Sequence, residues 1–223
     1  MYLLKSVIFY SKIEVAGRLI IALTVSKTKP YQPLLLRLLH GVNAFIAFLA
    51  IISSFLVYNT FDGRFGKLPI PPIPKIIDIH GTFGKILLLA IAPLFALYCF
   101  HIGYQRLIQP DSFQKLAQLP KPIGWYSLHR IVNTIMLLAV TFALVSGSMM
   151  QEKWLPNGEL DSFWYSLHLL GWLGLVLSLA FHLLMSVKIG GFTLIISMFT
   201  WGYRPEDSPA NWLTRISAFF RGK

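Results

Sequence analysis

The chain has 223 residues, of which 55% are hydrophobic and 13% are charged, and its mean hydropathy is +0.62. This balance excludes an ordinary soluble domain and is typical of an integral membrane protein. A net charge of +11 would suggest nucleic acid binding in a soluble protein. Here the positive charges flank long apolar stretches, so we expect no nucleic acid partner.

The first 32 residues form a basic arm. Its apolar run is interrupted by Lys12, Glu14 and Arg18, and no small-residue cleavage site follows, which argues against a signal peptide. We therefore expect residues 1–32 to be retained as a basic N-terminal arm that forms an interfacial helix.

Four apolar stretches long enough to cross a bilayer follow the arm. They predict an all-α membrane domain, a four-helix bundle over residues 33–190. Pro93 lies inside the second stretch and should bend that helix. The proline-rich loop KLPIPPIPK before it should form an extended strap. The predicted spans are Leu34–Tyr58, Ile76–Tyr104, Trp125–Met150 and Phe163–Val187.

Residues 191–223 form a polar and aromatic tail. Trp212, Ile216 and Phe219 recur at helical spacing in SPANWLTRISAFFRGK, with Ser208 as a capping residue. This pattern predicts an amphipathic helix that lies on the cytoplasmic leaflet. The alternative is that the helix packs on the cytoplasmic loops of the protein itself.

The basic residues are unevenly distributed between the two sides of the predicted bundle. The N-terminal arm, the loop between spans two and three, and the C-terminal end hold fifteen of the twenty. Because positive charge concentrates in cytoplasmic loops, both termini should be cytoplasmic, with anionic lipid as a partner. The membrane would be a bacterial-type inner, plasma or thylakoid membrane.

All six histidines lie in or at the ends of the predicted spans. His168 and His182 are fourteen residues apart in span four, so they share a helix face about 21 Å apart along the axis. Intramembrane histidines are costly and usually functional. This spacing suggests a helix that ligates two metal centres. On the non-cytoplasmic side the only other histidine is His80, which predicts a pair of His80 with His168.

The cytoplasmic partner of His182 is less clear from the sequence. His101 lies too far from His80 along span two to reach the level of His182, which leaves His40 and His129. Small residues, Gly41 and Ala44, follow His40, whereas bulkier or polar residues flank His129. A flat macrocycle needs a low helix surface beside its ligand, and this favours His40.

Two haems are the leading candidates for the metal centres. The single cysteine, Cys99, excludes Cys-x-x-Cys-His attachment, so any haem would be haem b. Gly81, Gly84 and Gly171 follow His80 and His168 and would make room for a macrocycle. The buried propionates need cations or donors. The candidates are Arg37, Arg130 and Lys188 on the cytoplasmic side and Lys75, Lys85 and Trp154 on the other.

Four segments carry a family resemblance: RLLHGVNA in span one, IHGTFG in span two, VSGSMM closing span three, and SLHLLGWLGL…FHLL in span four. Together they resemble the bacterial cytochrome b561 family, which is grouped with the cytochrome b subunits of nickel–iron hydrogenases and formate dehydrogenases. The likeness covers residues 33–190. It implies a four-helix bundle with two b haems, held by His40 with His182 and by His80 with His168.

The resemblance also implies electron transfer between a quinone pool and a redox partner at the membrane surface. The chain would act alone as an oxidoreductase or anchor a redox protein in a larger respiratory or photosynthetic complex. His101, His129 and Arg130 would exchange the proton that accompanies quinone chemistry. The alternatives are a transporter with histidine proton relays or zinc ligands, and a haem-free structural subunit. The absence of carboxylates inside the spans argues against a proton pathway.

Overall fold

The computed structural model describes residues 31–221, so the predicted interfacial helix of the N-terminal arm lies outside the described residues. The described chain is all-helical, with no β-strand in this range. Four of its helices are long and apolar enough to cross a bilayer, which makes the protein an integral membrane protein. They are α1 (Leu34–Phe61), α2 (Ile76–His101), α4 (Pro122–Ser148) and α5 (Phe163–Ile196). Two short helices are α3 (Ser112–Leu116) and α6 (Trp212–Phe220).

The four predicted spans are confirmed, with differences at their ends. Helix α2 ends at His101, and a single 3₁₀ turn, Tyr104–Arg106, follows it. Helix α5 continues beyond the predicted end at Val187 as far as Ile196. Gly191 interrupts it with φ 66° and ψ −173°, a conformation that only glycine adopts readily. The helix expected in the tail is α6, and Ser208 makes no side-chain capping hydrogen bond before it.

Pro93 perturbs α2 as expected, through a π-helical turn. Because proline has no N–H, the helix cannot continue its regular hydrogen bonds through this position. The turn Leu87–Ile91 precedes it, and the N–H of Ala92 bonds to the carbonyl of Leu87, five residues back. The helix accommodates the missing N–H of Pro93 by forming one wider turn.

The spans form two helix pairs with a gap between them. Helix α4 packs most extensively against α5, and α1 packs against α2. At the α4–α5 contact, a Cβ on Gly171 would lie 3.0 Å from the Cα of Ala143, so only a glycine permits this approach. Helices α1 and α5 come close to one another at few positions. The interior is therefore open between the pairs.

The proline strap is tied to the C-terminal end of α1. Asn59 is buried; its Oδ1 accepts a hydrogen bond from the N–H of Leu68 at 2.7 Å. Its Nδ2 donates to the carbonyl of the same residue at 3.2 Å. Residues 67–73 have no regular secondary structure, as the proline content predicts. An apolar cluster of Val57, Ile76, Leu155 and Tyr165 joins α1, α2 and α5 to the loop before α5.

The segment after α5 folds back onto the N-terminal end of α1. The buried guanidinium of Arg37 donates to the carbonyl and the hydroxyl of Thr200 and, at 2.7 Å, to the carbonyl of Gly202. The carboxylate of Asp207 accepts the N–H of Leu34 at 2.7 Å, which satisfies a donor in the first turn of α1. We call these contacts the C-terminal clamp.

Replacing Asp207 with Ala should loosen the C-terminal clamp. The loss of a helix cap costs about 1 kcal/mol, and the buried N–H of Leu34 would be left without its acceptor. We expect faster limited proteolysis after residue 196 and a lower Tm of the purified protein in detergent. Asp207→Asn keeps an acceptor at the same position and should behave like the wild type. Equal protease resistance of both variants would contradict a capping role.

Candidate functional site

The structure arranges four of the six histidines as two facing pairs across the gap between the helix pairs. The ring centroids of His80 and His168 are 5.9 Å apart, and those of His40 and His182 are 6.2 Å apart. A metal with an imidazole nitrogen at about 2 Å on each side would separate two ring centroids by about 6 Å. Both pairs therefore have the spacing of two axial ligands to one iron.

The Nδ1 atom of His80 is held on α1. The hydroxyl of Ser53 donates its proton to the carbonyl of Ala50 at 3.1 Å. The same hydroxyl oxygen lies 3.1 Å from Nδ1 of His80 and is then available only as an acceptor. In this arrangement Nδ1 carries the imidazole proton, and the lone pair is left on Nε2.

His168 is held in the same tautomer by α4. Its Nδ1 lies 2.9 Å from the carbonyl of Ala143, which can only accept a hydrogen bond. The ring lies against Gly147, where an added Cβ would come within 2.9 Å of Cε1 of His168. Gly147 therefore gives the imidazole its space, a role that no periodicity in the sequence indicated.

His182 is also held by α4, through Asn133. Nδ1 of His182 lies 2.8 Å from Oδ1 of Asn133, and Nδ2 of Asn133 donates to the carbonyl of Arg106 at 3.0 Å. His80, His168 and His182 thus each direct Nδ1–H to a hydrogen-bond acceptor. In each ring Nε2 is left with a lone pair that can bind a metal. The hydrogen bond at Nδ1 is the usual second contact of a metal-binding histidine.

His129 approaches His182 from the side of Nδ1. Nε2 of His129 lies 3.4 Å from Nδ1 of His182 and 3.4 Å from the hydroxyl of Ser186. It therefore contacts the nitrogen that Asn133 already occupies. His101 is exposed at the end of α2. His129 contacts α5, and the next residue, Arg130, lines a loop cavity.

A cavity of about 1260 Å³ surrounds the pair of His80 and His168 and is lined by all four spans. Gly81 and Gly84 line it, and a Cβ on either would meet no atom within 4 Å. The indole N–H of Trp172, also in the lining, is buried with no hydrogen-bond partner among the described residues. The room and the orphaned donor fit a large flat cofactor with acceptor groups. Gly171 was expected to make room for a macrocycle. In the structure its small size instead permits the close contact between α5 and α4.

The cations expected to meet the propionates have varied surroundings. Arg37 belongs to the C-terminal clamp. Arg130 lines a second cavity of about 400 Å³ together with residues of the loop between α2 and α4, and none of the six histidines lines that cavity. On the other side Lys85 lines the large cavity, as does Lys67, which the sequence analysis missed. A lysine in a loop has no sequence pattern that would predict its place in the lining of a cavity. The remaining candidates, Lys75, Trp154 and Lys188, do not line the large cavity.

The family model for prokaryotic cytochrome b561 matches residues 31–201, which includes all four spans. The chain belongs to the prokaryotic cytochrome b561 family. It is therefore a membrane cytochrome of the haem b type that takes part in electron transfer. Neither a curated protein nor a solved structure matches the chain significantly. Among the described residues no group of three or more histidine, cysteine and acidic side chains is placed to bind a metal ion.

A polar network joins the end of α1 to the start of α5. Asp62 follows α1 and accepts hydrogen bonds from Nε of Arg64 at 2.9 Å and from the hydroxyl of Tyr165 at 2.7 Å. Arg64 also donates to the carbonyl of Leu160 at 2.9 Å. Burial alone would raise the pKa of the Asp62 carboxyl, but the hydrogen bonds from Arg64 and Tyr165 outweigh it and lower the pKa.

This network should make the stability of the protein depend on acid pH. Because the pKa of Asp62 is lower in the folded state, its contribution is complete above the unfolded value of about 4 and is lost as the pH falls through the folded pKa. We expect Asp62→Asn to lower the Tm at pH 7, and the difference from the wild type to shrink toward pH 3. A difference that does not change with pH would show that the carboxylate charge is not involved.

Proposed function

We propose that this cytochrome holds two b haems, one between His40 and His182 and the other between His80 and His168, and passes electrons across the membrane between a quinone pool and a surface redox partner. The observation that carries the proposal is that the histidines form two facing pairs. The ring centroids are 6.2 Å apart in the first pair and 5.9 Å apart in the second. The hydrogen bonds that leave Nε2 available on three of the four rings support it.

The choice of His40 over His129 rests on direction as well as distance. His129 lies beside Nδ1 of His182, where the ring already donates to Asn133. His40 faces the same ring from α1, and a Cβ on the neighbouring Gly41 would meet no atom within 4 Å. Phe95 packs edge-on against His40 with ring centroids 6.0 Å apart, which limits the motion of the imidazole. These contacts favour a ligand role for His40.

Haem b, when bound, supplies one-electron redox chemistry. Both imidazoles of each pair would hold the iron, and the chemistry that the group would then supply is electron transfer without bond formation at the iron. His168 and His182 lie on one helix and place the two centres about 21 Å apart. The hydrogen bonds from α1 and α4 keep the imidazoles of His80, His168 and His182 in one tautomer.

The haem propionates would be held differently at the two ends. Lys67 and Lys85 line the large cavity and are placed to pair with propionates on the non-cytoplasmic side. Arg37 and Arg130 remain our candidates on the cytoplasmic side, although their contacts give them other roles as well. We propose that this basic side is cytoplasmic together with both termini, in contact with anionic lipid.

The ligand assignment is tested by counting haem. Purified chain should contain two b haems by the pyridine haemochrome assay and show a reduced-minus-oxidised spectrum of b type. His40→Ala and His80→Ala should each reduce the content to about one haem, because each removes one axial ligand. His129→Ala is the matched control and should retain two.

Two results would contradict the proposal. If His129→Ala loses a haem while His40→Ala keeps both, the cytoplasmic pair is assigned wrongly. A folded wild-type chain without haem would exclude the electron-transfer function of this chain itself. The quinone step is tested separately, since the reduced protein should be reoxidised by a soluble quinone analogue.

A further inference from the structure

Asn133 lies between a cytoplasmic loop and His182, and its two hydrogen bonds have only one possible direction. The carbonyl of Arg106 can only accept, so it must face Nδ2 of Asn133, at 3.0 Å. The side-chain oxygen of Asn133 must then face Nδ1 of His182, at 2.8 Å. Nδ1 therefore carries the proton. A backbone carbonyl in the loop thus determines the tautomer of an imidazole inside the membrane domain.

We propose that Asn133 is a positioning residue that orients His182 and sets the redox potential of the cytoplasmic haem. The inference rests on the proposed function, because it needs His182 to be an iron ligand. A good acceptor at Nδ1–H increases the basicity of the ring at Nε2, which stabilises the oxidised iron and lowers its potential. Asn133 supplies this acceptor from α4, a helix that carries none of the four proposed ligands.

The two α5 histidines differ in whether a substitution can remove the hydrogen-bond acceptor of Nδ1–H. His168 donates to the backbone carbonyl of Ala143, which every variant at that position retains. His182 donates to a side chain, which a single substitution can remove. The two haems should therefore respond differently to changes on α4, and this difference provides an internal reference within one molecule.

Thr134 provides a matched control beside Asn133. Its hydroxyl oxygen accepts the N–H of Ile108 at 2.8 Å, so it anchors the same loop to α4. No hydrogen bond joins Thr134 to a histidine among the described residues. Thr134→Val should therefore disturb the loop as much as Asn133→Leu does but leave His182 unaffected.

The experiment measures both haem midpoint potentials in the purified holoprotein by spectroelectrochemistry. Asn133→Leu and Asn133→Ala remove the acceptor, and each should raise the potential of one haem. We expect about a tenfold change in its reduction equilibrium, or about 59 mV for one electron. Asn133→Asp retains an oxygen acceptor and should give a potential at or below that of the wild type. Thr134→Val should change neither haem.

An unchanged pair of potentials in both the Leu and the Ala variants would overturn the proposal. It would also be overturned if Thr134→Val produced the same shift, since the loop alone would then explain it. A rise with Asn133→Asp as large as that with Asn133→Leu would likewise exclude an acceptor role. If Asn133→Leu does not assemble, the Ala variant decides. A wild-type protein with fewer than two haems would instead be a failure of the proposed function.

Discussion

The close contact between α4 and α5 is the constraint on which the rest of the structure depends. Gly171 lets α5 approach the backbone of Ala143, and Gly147 leaves space for the ring of His168. At this distance α4 can hold Nδ1–H of both α5 histidines, one through a carbonyl and the other through Asn133. Both rings are then fixed with Nε2 available toward the gap. A wider contact would leave the imidazoles free to rotate and to change tautomer.

The gap between the helix pairs is closed at both ends by polar contacts. On one side the strap is held by Asn59, and the carboxylate of Asp62 joins the end of α1 to the start of α5. On the other side Arg37 and Asp207 bind the segment after α5 to the start of α1. These contacts keep α1 at a fixed distance from α5 although the two helices touch at few positions. A preformed site of this kind does not have to be assembled by its cofactor.

Much of the fold could be predicted because hydrophobic length and charge distribution act locally. The four spans, the perturbation of α2 at Pro93 and the strap follow from residue type alone. The spacing of His168 and His182 predicted two layers of metal ligands. The sequence could not predict contacts between residues distant in the chain. Arg37 was predicted as a propionate partner, and its hydrogen bonds to carbonyl groups more than 160 residues away had no signal in the sequence. Asn133 is one of the polar residues that flank His129 in the sequence, but in the structure its side chain contacts His182.

The central claim is that the space between the helix pairs holds two irons, each between two facing histidines. The most direct test is anomalous X-ray diffraction at the iron absorption edge from crystals of the purified holoprotein. The account predicts two iron peaks about 20 Å apart along α5, one between His40 and His182 and one between His80 and His168. A single peak, or an iron bound between His129 and His182, would contradict it.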